Sequence, residues 1–171
     1  MEKVFSIDPS LCTGCRYCEV VCSFTKERKF SPMLSRVKII KIEEEGIDIP
    51  MLCMHCEDAP CKVACPVRAI SRNDVGAIVI NPDICIGCRA CIIVCPFGAI
   101  KFDIKRGTLL KCDLCDGDPM CAKYCPTKAI NFVVAGREDL IKRRIYVEKM
   151  VAPMIKGRKM VAVAEKWIER R

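Results

Sequence analysis

The sequence predicts an α+β fold made of two small cysteine-rich units in one chain, followed by a C-terminal helical extension. Three observations carry this prediction. Cysteine supplies 16 of the 171 residues and falls into four groups, short apolar runs flank those groups, and apolar residues recur at helical spacing near the C terminus. Aromatic residues make up only 6% of the chain, so the core must be aliphatic or organised around something else.

Cysteine at this density indicates either a disulfide framework or bound metal. The chain opens with Met1, Glu2 and Lys3 and shows no apolar secretion signal there. It also has no run of about 18 apolar residues, the length that a membrane-spanning helix needs. We therefore expect a cytoplasmic protein without a membrane span, whose cysteines bind metal rather than form disulfides.

The spacing within the cysteine groups is the most specific feature of the sequence. The groups are Cys12, Cys15, Cys18, Cys22; Cys53, Cys56, Cys61, Cys65; Cys85, Cys88, Cys91, Cys95; and Cys112, Cys115, Cys121, Cys125. Groups one and three read C-x2-C-x2-C-x3-C, whereas the middle gap is x4 in group two and x5 in group four. This is the bacterial ferredoxin pattern, in which three close cysteines hold one [4Fe–4S] cluster and the fourth ligates another. Zinc is the alternative for groups two and four taken alone, but it fits groups one and three poorly.

The repeat extends beyond the cysteines and predicts the secondary structure around them. The motif Cys-Pro-x-x-Ala-Ile occurs at 65–70, 95–100 and 125–130, which indicates duplicated units. We expect one helical turn after each Cys-Pro. Short strands are predicted at 4–7, 37–42, 78–80, 108–110 and 131–134. Hairpins are predicted over 36–51, turning at Glu45-Gly46, and over 100–110, turning at Arg106-Gly107.

Four complete groups in a chain of this length resemble the four-cluster [4Fe–4S] electron-transfer subunits of multi-subunit oxidoreductases. The segment from Cys12 to Glu19, Cys-Thr-Gly-Cys-Arg-Tyr-Cys-Glu, is similar to the first motif of that family. Relatives of this type include the iron–sulfur subunits of dimethyl sulfoxide reductase and formate dehydrogenase. They also include the small subunit of tungsten aldehyde oxidoreductases and the ferredoxin-like subunit of carbon monoxide dehydrogenase.

The resemblance implies a nested pairing of the groups, one with four and two with three, and hence four [4Fe–4S] clusters. The implied ligand sets are Cys12, Cys15, Cys18 and Cys125; Cys112, Cys115, Cys121 and Cys22; Cys53, Cys56, Cys61 and Cys95; and Cys85, Cys88, Cys91 and Cys65. The corresponding domains are an outer ferredoxin-like unit at 1–30 plus 103–135, a hairpin insertion at 31–52, an inner unit at 53–102 and a basic amphipathic helical tail at 136–171.

The charge distribution bears on the partners of the protein. The formal net charge is +8, but residues 137–171 hold 11 of the basic and 5 of the acidic residues. Four oxidised, fully thiolate-ligated clusters would add about −8, which brings the whole protein close to neutral. We therefore expect no nucleic-acid partner.

Apolar residues of the C-terminal tail recur at the spacing of an amphipathic helix, at Met160, Val163, Ala164, Trp167 and Ile168. A second helix is predicted upstream, over 140–154. Two interpretations stay open: these helices pack on the cysteine-rich body, or one of them docks a catalytic subunit with Trp167 as its anchor.

The sequence contains no motif for a substrate site of its own, so we expect a non-catalytic electron-transfer subunit. Its expected partner is a catalytic subunit, with tungsten- or molybdenum-pterin as the best guess, and a soluble ferredoxin is a second candidate. The alternatives are a free-standing polyferredoxin and the ferredoxin-like subunit of a hydrogenase or carbon monoxide dehydrogenase. The lone His55 is expected at the surface or as a hydrogen-bond donor to sulfur, not as a ligand. The absence of Gln and the abundance of charged residues suggest a hyperthermophilic source.

Overall fold

The computed structural model describes residues 3–136. In this part of the chain, eight short strands and four helices alternate around the cysteine groups. The strands are β1 (Lys3–Ile7), β2 (Lys38–Ile42), β3 (Ile47–Met51), β4 (Ile70–Arg72), β5 (Ile78–Ile80), β6 (Lys101–Asp103), β7 (Thr108–Leu110) and β8 (Ile130–Val134). The helices are α1 (Tyr17–Glu27), α2 (Pro60–Val63), α3 (Ala90–Ile93) and α4 (Met120–Lys123).

The strands pair as four antiparallel two-stranded sheets, and the pairing is nested. β1 pairs with β8, so that Ile7 lies opposite Ile130 and the two ends of the described residues are joined. Between them lie three local hairpins, formed by β2 with β3, β4 with β5 and β6 with β7. The outer pair therefore encloses everything from the first cysteine group to the fourth.

Aliphatic residues and cysteines together form the core. Phe5, Ile7 and Ile130 are almost completely buried on one face of the sheet that β1 and β8 form. A second buried cluster combines aliphatic residues of the inner strands with cysteines of groups two and three, and its members are Ala59, Cys61, Ile70, Ile78, Cys91 and Ile100. Because cysteines occupy core positions, few aromatic residues are needed to fill the interior.

Most of the predicted elements are confirmed. All five predicted strands are present with their ends shifted by at most one residue, and both predicted hairpins turn at the expected places. The mixture of helix and strand agrees with the α+β class. The sequence does not predict the short strand β4, nor does it predict the 11-residue helix α1.

The expected helical turn after each Cys-Pro is wrong. The helical turns α2, α3 and α4 lie before the Cys-Pro dipeptides and end two residues upstream of the cysteine. The residue before a proline is disfavoured in the helical region, which ends the turn. Two residues after each proline the backbone is left-handed, with φ of 55° at Arg68, 55° at Gly98 and 57° at Lys128, so no helix continues.

The described residues up to Val134 belong to one compact unit. The predicted C-terminal helices, including the segment around Trp167, lie outside the described residues. Among residues 3–136, no helix combines the length and apolar content that crossing a bilayer requires.

An ion-pair network ties the end of α1 to two later segments. Oε1 of Glu27 lies 2.5 Å from Nη2 of Arg36. Oε2 of Glu27 pairs with Nη1 of Arg106, in the turn after β6. Burial acts to raise the pKa of Glu27, but the hydrogen bonds from Arg106 and Arg36 lower it overall. Glu27 is therefore held ionised, and it links α1 to the segment before β2 and to the β6–β7 hairpin.

We expect Glu27→Gln to lower the free energy of unfolding by about 1–3 kcal/mol, because it removes the charge that faces two guanidinium groups. Urea unfolding of the anaerobic, iron-loaded protein measures this change. The matched control is Asp118→Asn, whose carboxylate pairs with Lys123 at 2.8 Å with both side chains more than half exposed. The control should change stability by less than about 0.5 kcal/mol, and equal losses would contradict the prediction.

Candidate metal centres

Three cavities in the structure are each lined by four cysteines drawn from two different groups. Site A is formed by Cys12, Cys15, Cys18 and Cys125. Site C is formed by Cys53, Cys56, Cys61 and Cys95. Site D is formed by Cys65, Cys85, Cys88 and Cys91. In each site, three cysteines come from one group and one comes from its paired group.

The remaining four cysteines, Cys22, Cys112, Cys115 and Cys121, are close neighbours and are called site B. Burial raises the pKa of Cys121 well above its usual value, and the thiolates of Cys112, Cys22 and Cys115 raise it further. Burial also raises the pKa of Cys115, with a smaller contribution from Cys22. The structure thus places Cys22, from the first group, beside three cysteines of the fourth.

Left-handed residues shape the loops between the first two cysteines of each group. Gly14 and Gly87 have φ of 63° and 68°, and the corresponding positions are held by His55, with φ of 47°, and Leu114, with φ of 62°. Glycine adopts this conformation without steric cost, whereas His55 and Leu114 must be held there by their surroundings. Successive N–H groups in such turns point into the concave side of the loop, where negative charge is stabilised.

Backbone N–H groups donate hydrogen bonds to several of the cysteine sulfurs. Ala69 N–H donates to Cys65 Sγ at 3.2 Å, and Ala99 N–H donates to Cys95 Sγ at 3.4 Å. The left-handed residue that precedes this Ala, Arg68 or Gly98, turns the backbone so that the next amide reaches the sulfur. The Ala side chains of all three copies of Cys-Pro-x-x-Ala-Ile are buried. The repeat was visible in the sequence, but its role was not. Hydrogen bonds of this kind tune the electronic properties of metal-bound thiolates.

Site B receives similar bonds from outside that motif. Arg36 N–H donates to Cys22 Sγ at 3.3 Å, and Leu114 N–H donates to Cys112 Sγ at 3.5 Å.

Two charged side chains also reach the cysteine sites, and sequence reasoning did not identify either of them. Lys111 Nζ lies 3.2 Å from Cys53 Sγ in site C. The carboxylate of Asp48, in β3, lies against Gly14. A Cβ atom added to Gly14 would lie 2.5 Å from the Cγ of Asp48. Burial is the main cause that raises the pKa of Cys12, and the charge of Asp48 raises it further.

His55 is positioned differently from what the sequence suggested. Its ring is largely buried, and Nδ1 accepts a hydrogen bond from Ile78 N–H at 2.9 Å, while Nε2 is buried without a hydrogen-bond partner among the described residues. Burial, together with the charges of Lys111 and Arg72, lowers the pKa of His55 to about 3. His55 is therefore neutral and anchors its loop to β5, so the expectation of a surface position is wrong. His55 lines the site C cavity, and a hydrogen bond from its Nε2 to a cluster sulfur stays a prediction.

Burial of the cysteines has a chemical consequence for metal binding. It raises the pKa of Cys18 to about 12, with a further contribution from Glu19, and likewise raises the pKa of Cys112 to about 12. Without metal these cysteines are thiols, so binding of a metal group as thiolates releases protons. Four cysteines around each cavity, N–H donors directed at sulfur and partial burial fit a thiolate-ligated iron–sulfur cluster. Within residues 3–136, no group of three or more His, Cys, Asp or Glu is arranged to hold a single metal ion.

The four sites differ in how far their cysteines reach the surface. Cys15 of site A and Cys88 of site D are exposed, whereas the cysteines of sites B and C are buried or half-buried.

The fold and these cysteine sites define the class of protein, which binds iron–sulfur clusters. Residues 45–135 match the 4Fe-4S dicluster domain, and residues 4–24 match a 4Fe-4S binding domain. The first match covers more than half of the protein, which therefore belongs to the 4Fe-4S dicluster domain family. The prediction that the cysteines bind [4Fe–4S] clusters is confirmed at this level.

The protein is similar to subunits of several oxidoreductases. Formate hydrogenlyase subunit 2 of Escherichia coli (strain K12) is 42% identical over 91 residues, which cover 53% of this chain and 43% of that protein. The polyferredoxin-like subunit of the aliphatic sulfonate oxidoreductase of Pyrococcus furiosus is 42% identical over 87 residues, or 50% of each protein. One subunit of the anaerobic dimethyl sulfoxide reductase of Escherichia coli (strain K12) is 35% identical over 101 residues, covering 51% of this chain and 48% of that subunit. The chain spans about half the length of the curated relatives it matches.

Among solved structures, one protein of the active-site complex BamBC of benzoyl coenzyme A reductase aligns over 96% of its own length and 96% of this chain. The sequence identity is 26% and the TM-score is 0.47.

Gly14 and Gly87 offer a matched test of loop packing at sites A and D. We expect Gly14→Ala to reduce the iron retained by the anaerobically purified protein, because the added Cβ overlaps the Asp48 carboxylate. Gly87→Ala carries the same backbone cost of about 1 kcal/mol but meets no atom within 4 Å, so it should retain more iron. Equal iron loss in the two variants would show that Asp48 does not constrain the loop.

Proposed function

We propose that this protein is an electron-transfer iron–sulfur subunit that relays electrons through four [4Fe–4S] clusters. The clusters are held by sites A, B, C and D, with the ligand sets implied by the sequence resemblance. The outer unit at 1–30 plus 103–135 carries sites A and B, the inner unit at 53–102 carries sites C and D, and residues 31–52 form an insertion between them. The observation that carries the proposal is that cysteines from two groups surround each of three cavities, while the remaining four lie within electrostatic reach of one another.

Electrostatic interactions between cysteines of neighbouring sites support a path in the order A, B, C, D. Cys18 of site A is close enough to Cys121 of site B for its thiolate charge to add to the burial that raises the pKa of Cys121. The thiolate charge of Cys53 in site C likewise adds to the burial that raises the pKa of Cys112 in site B. Cys61 of site C likewise adds to the burial that raises the pKa of Cys91 in site D. Each site therefore has a neighbour to pass an electron to.

The exposure of the end sites supports entry and exit of electrons at opposite ends of this path. Site A reaches the surface at Cys15 and site D at Cys88, while sites B and C are more enclosed. In the proposed function one end faces a catalytic subunit, and the other faces a soluble ferredoxin or another subunit.

The catalytic partner is proposed to be a tungsten- or molybdenum-pterin enzyme that oxidises an aldehyde or formate. This proposal rests on the resemblance of the cysteine motifs and on the similarity to subunits of sulfonate oxidoreductase and dimethyl sulfoxide reductase. The similarity to formate hydrogenlyase subunit 2 favours a second candidate, a ferredoxin-like subunit of a hydrogenase-linked complex. A free-standing polyferredoxin or a subunit of carbon monoxide dehydrogenase is the remaining alternative.

A metal inventory of the complex, purified anaerobically from its native source, separates these functions. We expect about 16 iron atoms per chain, four for each of four clusters, together with tungsten or molybdenum in a co-purifying subunit. Nickel in place of tungsten or molybdenum would shift the assignment to a hydrogenase or carbon monoxide dehydrogenase. Iron on an isolated chain would support the free carrier, and zinc in place of iron would contradict the proposal.

The nested ligand sets predict which cysteine variants affect the same cluster. Cys22→Ala and Cys112→Ala should alter one and the same EPR signal of the reduced protein, because both remove a ligand of site B. Cys18→Ala lies one helical turn from Cys22 in α1, but it should alter a different signal, that of site A. If Cys22→Ala and Cys18→Ala affected the same signal, the cross-group pairing would be wrong.

A further inference from the structure

Lys111 joins two of the cysteine sites. It follows β7 and immediately precedes Cys112 of site B, while its side chain extends into the wall of the site C cavity. There Nζ donates to Cys53 Sγ at 3.2 Å and also donates to the backbone carbonyl of Ile78. The side chain is half-buried, so its ammonium is fixed at the boundary between the two sites.

The repeat shows that this lysine departs from the pattern of the other groups. The residue directly before the first cysteine is Leu11 in group one, Leu52 in group two and Ile84 in group three. Group four alone has a cation there. Three of the four groups therefore form their loops without a charge at this position. The charge of Lys111 is thus not a requirement of the loop conformation.

The charge of Lys111 acts on several sulfurs. Burial is the main cause that raises the pKa of Cys56 and Cys61 in site C, and the ammonium of Lys111 opposes that rise at both. It opposes the rise at Cys112 of site B as well. An ammonium that lies within hydrogen-bonding distance of a ligand sulfur, on a half-buried side chain, is screened less than a surface charge.

We propose that Lys111 sets the reduction potential of the cluster in site C, raising it above the value that the same cluster would have beside a neutral side chain. The inference rests on the proposed function and its ligand sets. Reduction adds one electron to the cluster and takes the charge of the cluster with its four thiolates from about −2 to −3. No bond forms or breaks and no proton moves; the electron arrives from one neighbouring cluster and leaves to the other. A fixed positive charge favours the more negative state, so Lys111 favours the reduced form.

Potentiometric titration of the holoprotein, monitored by EPR, tests this role. Dithionite serves as the reductant in the presence of redox mediators. The variants are Lys111→Gln and Lys111→Met, which remove the charge, and Lys111→Arg, which keeps it. Cys56→Ser identifies the signal of site C, because it changes one ligand of that cluster. Lys105→Gln is the matched control, since Lys105 is exposed in the β6–β7 turn.

We expect both neutral variants to lower the reduction equilibrium constant of the site C cluster by about tenfold, which is 59 mV for a one-electron couple. The shift at site B should be smaller and of the same sign, and sites A and D should be unchanged. Lys111→Arg should stay within about twofold of the unmodified protein, and Lys105→Gln should have no effect.

Three results would overturn the inference. Unchanged potentials in iron-replete Lys111→Gln and Lys111→Met would show that the charge does not matter. An equal shift in Lys111→Arg would assign the effect to packing instead of charge. Failure of both neutral variants to hold iron would make Lys111 a residue that builds the site.

These results are distinct from a failure of the proposed function. That failure would show in the unmodified protein, as fewer than four clusters or as EPR signals that do not follow the ligand sets.

Discussion

The antiparallel pairing of β1 with β8, around the inner pairing of β4 with β5, is the constraint on which the rest of the structure depends. It brings Cys125 to the cysteines of the first group and Cys22 to those of the fourth, although about a hundred residues separate them in sequence. The inner pair does the same for groups two and three. Because every site combines cysteines from two groups, none of the groups forms a site by itself.

The cysteines belong to the core as much as to the sites. Cys61 and Cys91 pack among Ile70, Ile78 and Ile100. Cys112 and Cys121 are buried as well, the latter within α4. Their burial raises the thiol pKa values, so the metal-free protein holds protonated thiols where the loaded protein holds thiolates. Folding and cofactor binding are thus parts of one equilibrium, and the stability of the protein includes the free energy of binding its clusters.

The sequence predicted the parts of this structure that follow from spacing and alternation. Strands could be located because short apolar runs end at turn residues, and the cysteine groups could be sorted because their spacing is diagnostic. The helical turns lie before each Cys-Pro and not after it, because the residue that precedes a proline is disfavoured in the helical region and the turn ends there.

The contacts of Lys111, Asp48 and His55 could not be derived from the sequence. Each depends on a partner far along the chain: Cys53 for Lys111, Gly14 for Asp48 and Ile78 for His55. Spacing identifies the ligands that are close in sequence, whereas charges and amides that tune a site arrive from distant segments.

The outer strand pair has a consequence for the order in which the protein matures during its synthesis on the ribosome. β1 is made first, but its partner β8 is the last strand of the described residues to emerge. Until then β1 presents an unpaired edge, and the cavity of site A lacks one of its four walls. The inner cysteines, 53 to 95, are complete much earlier. The cysteines of group one therefore wait longest for their partners, because the fourth group, which ends at Cys125, is synthesised after all the others.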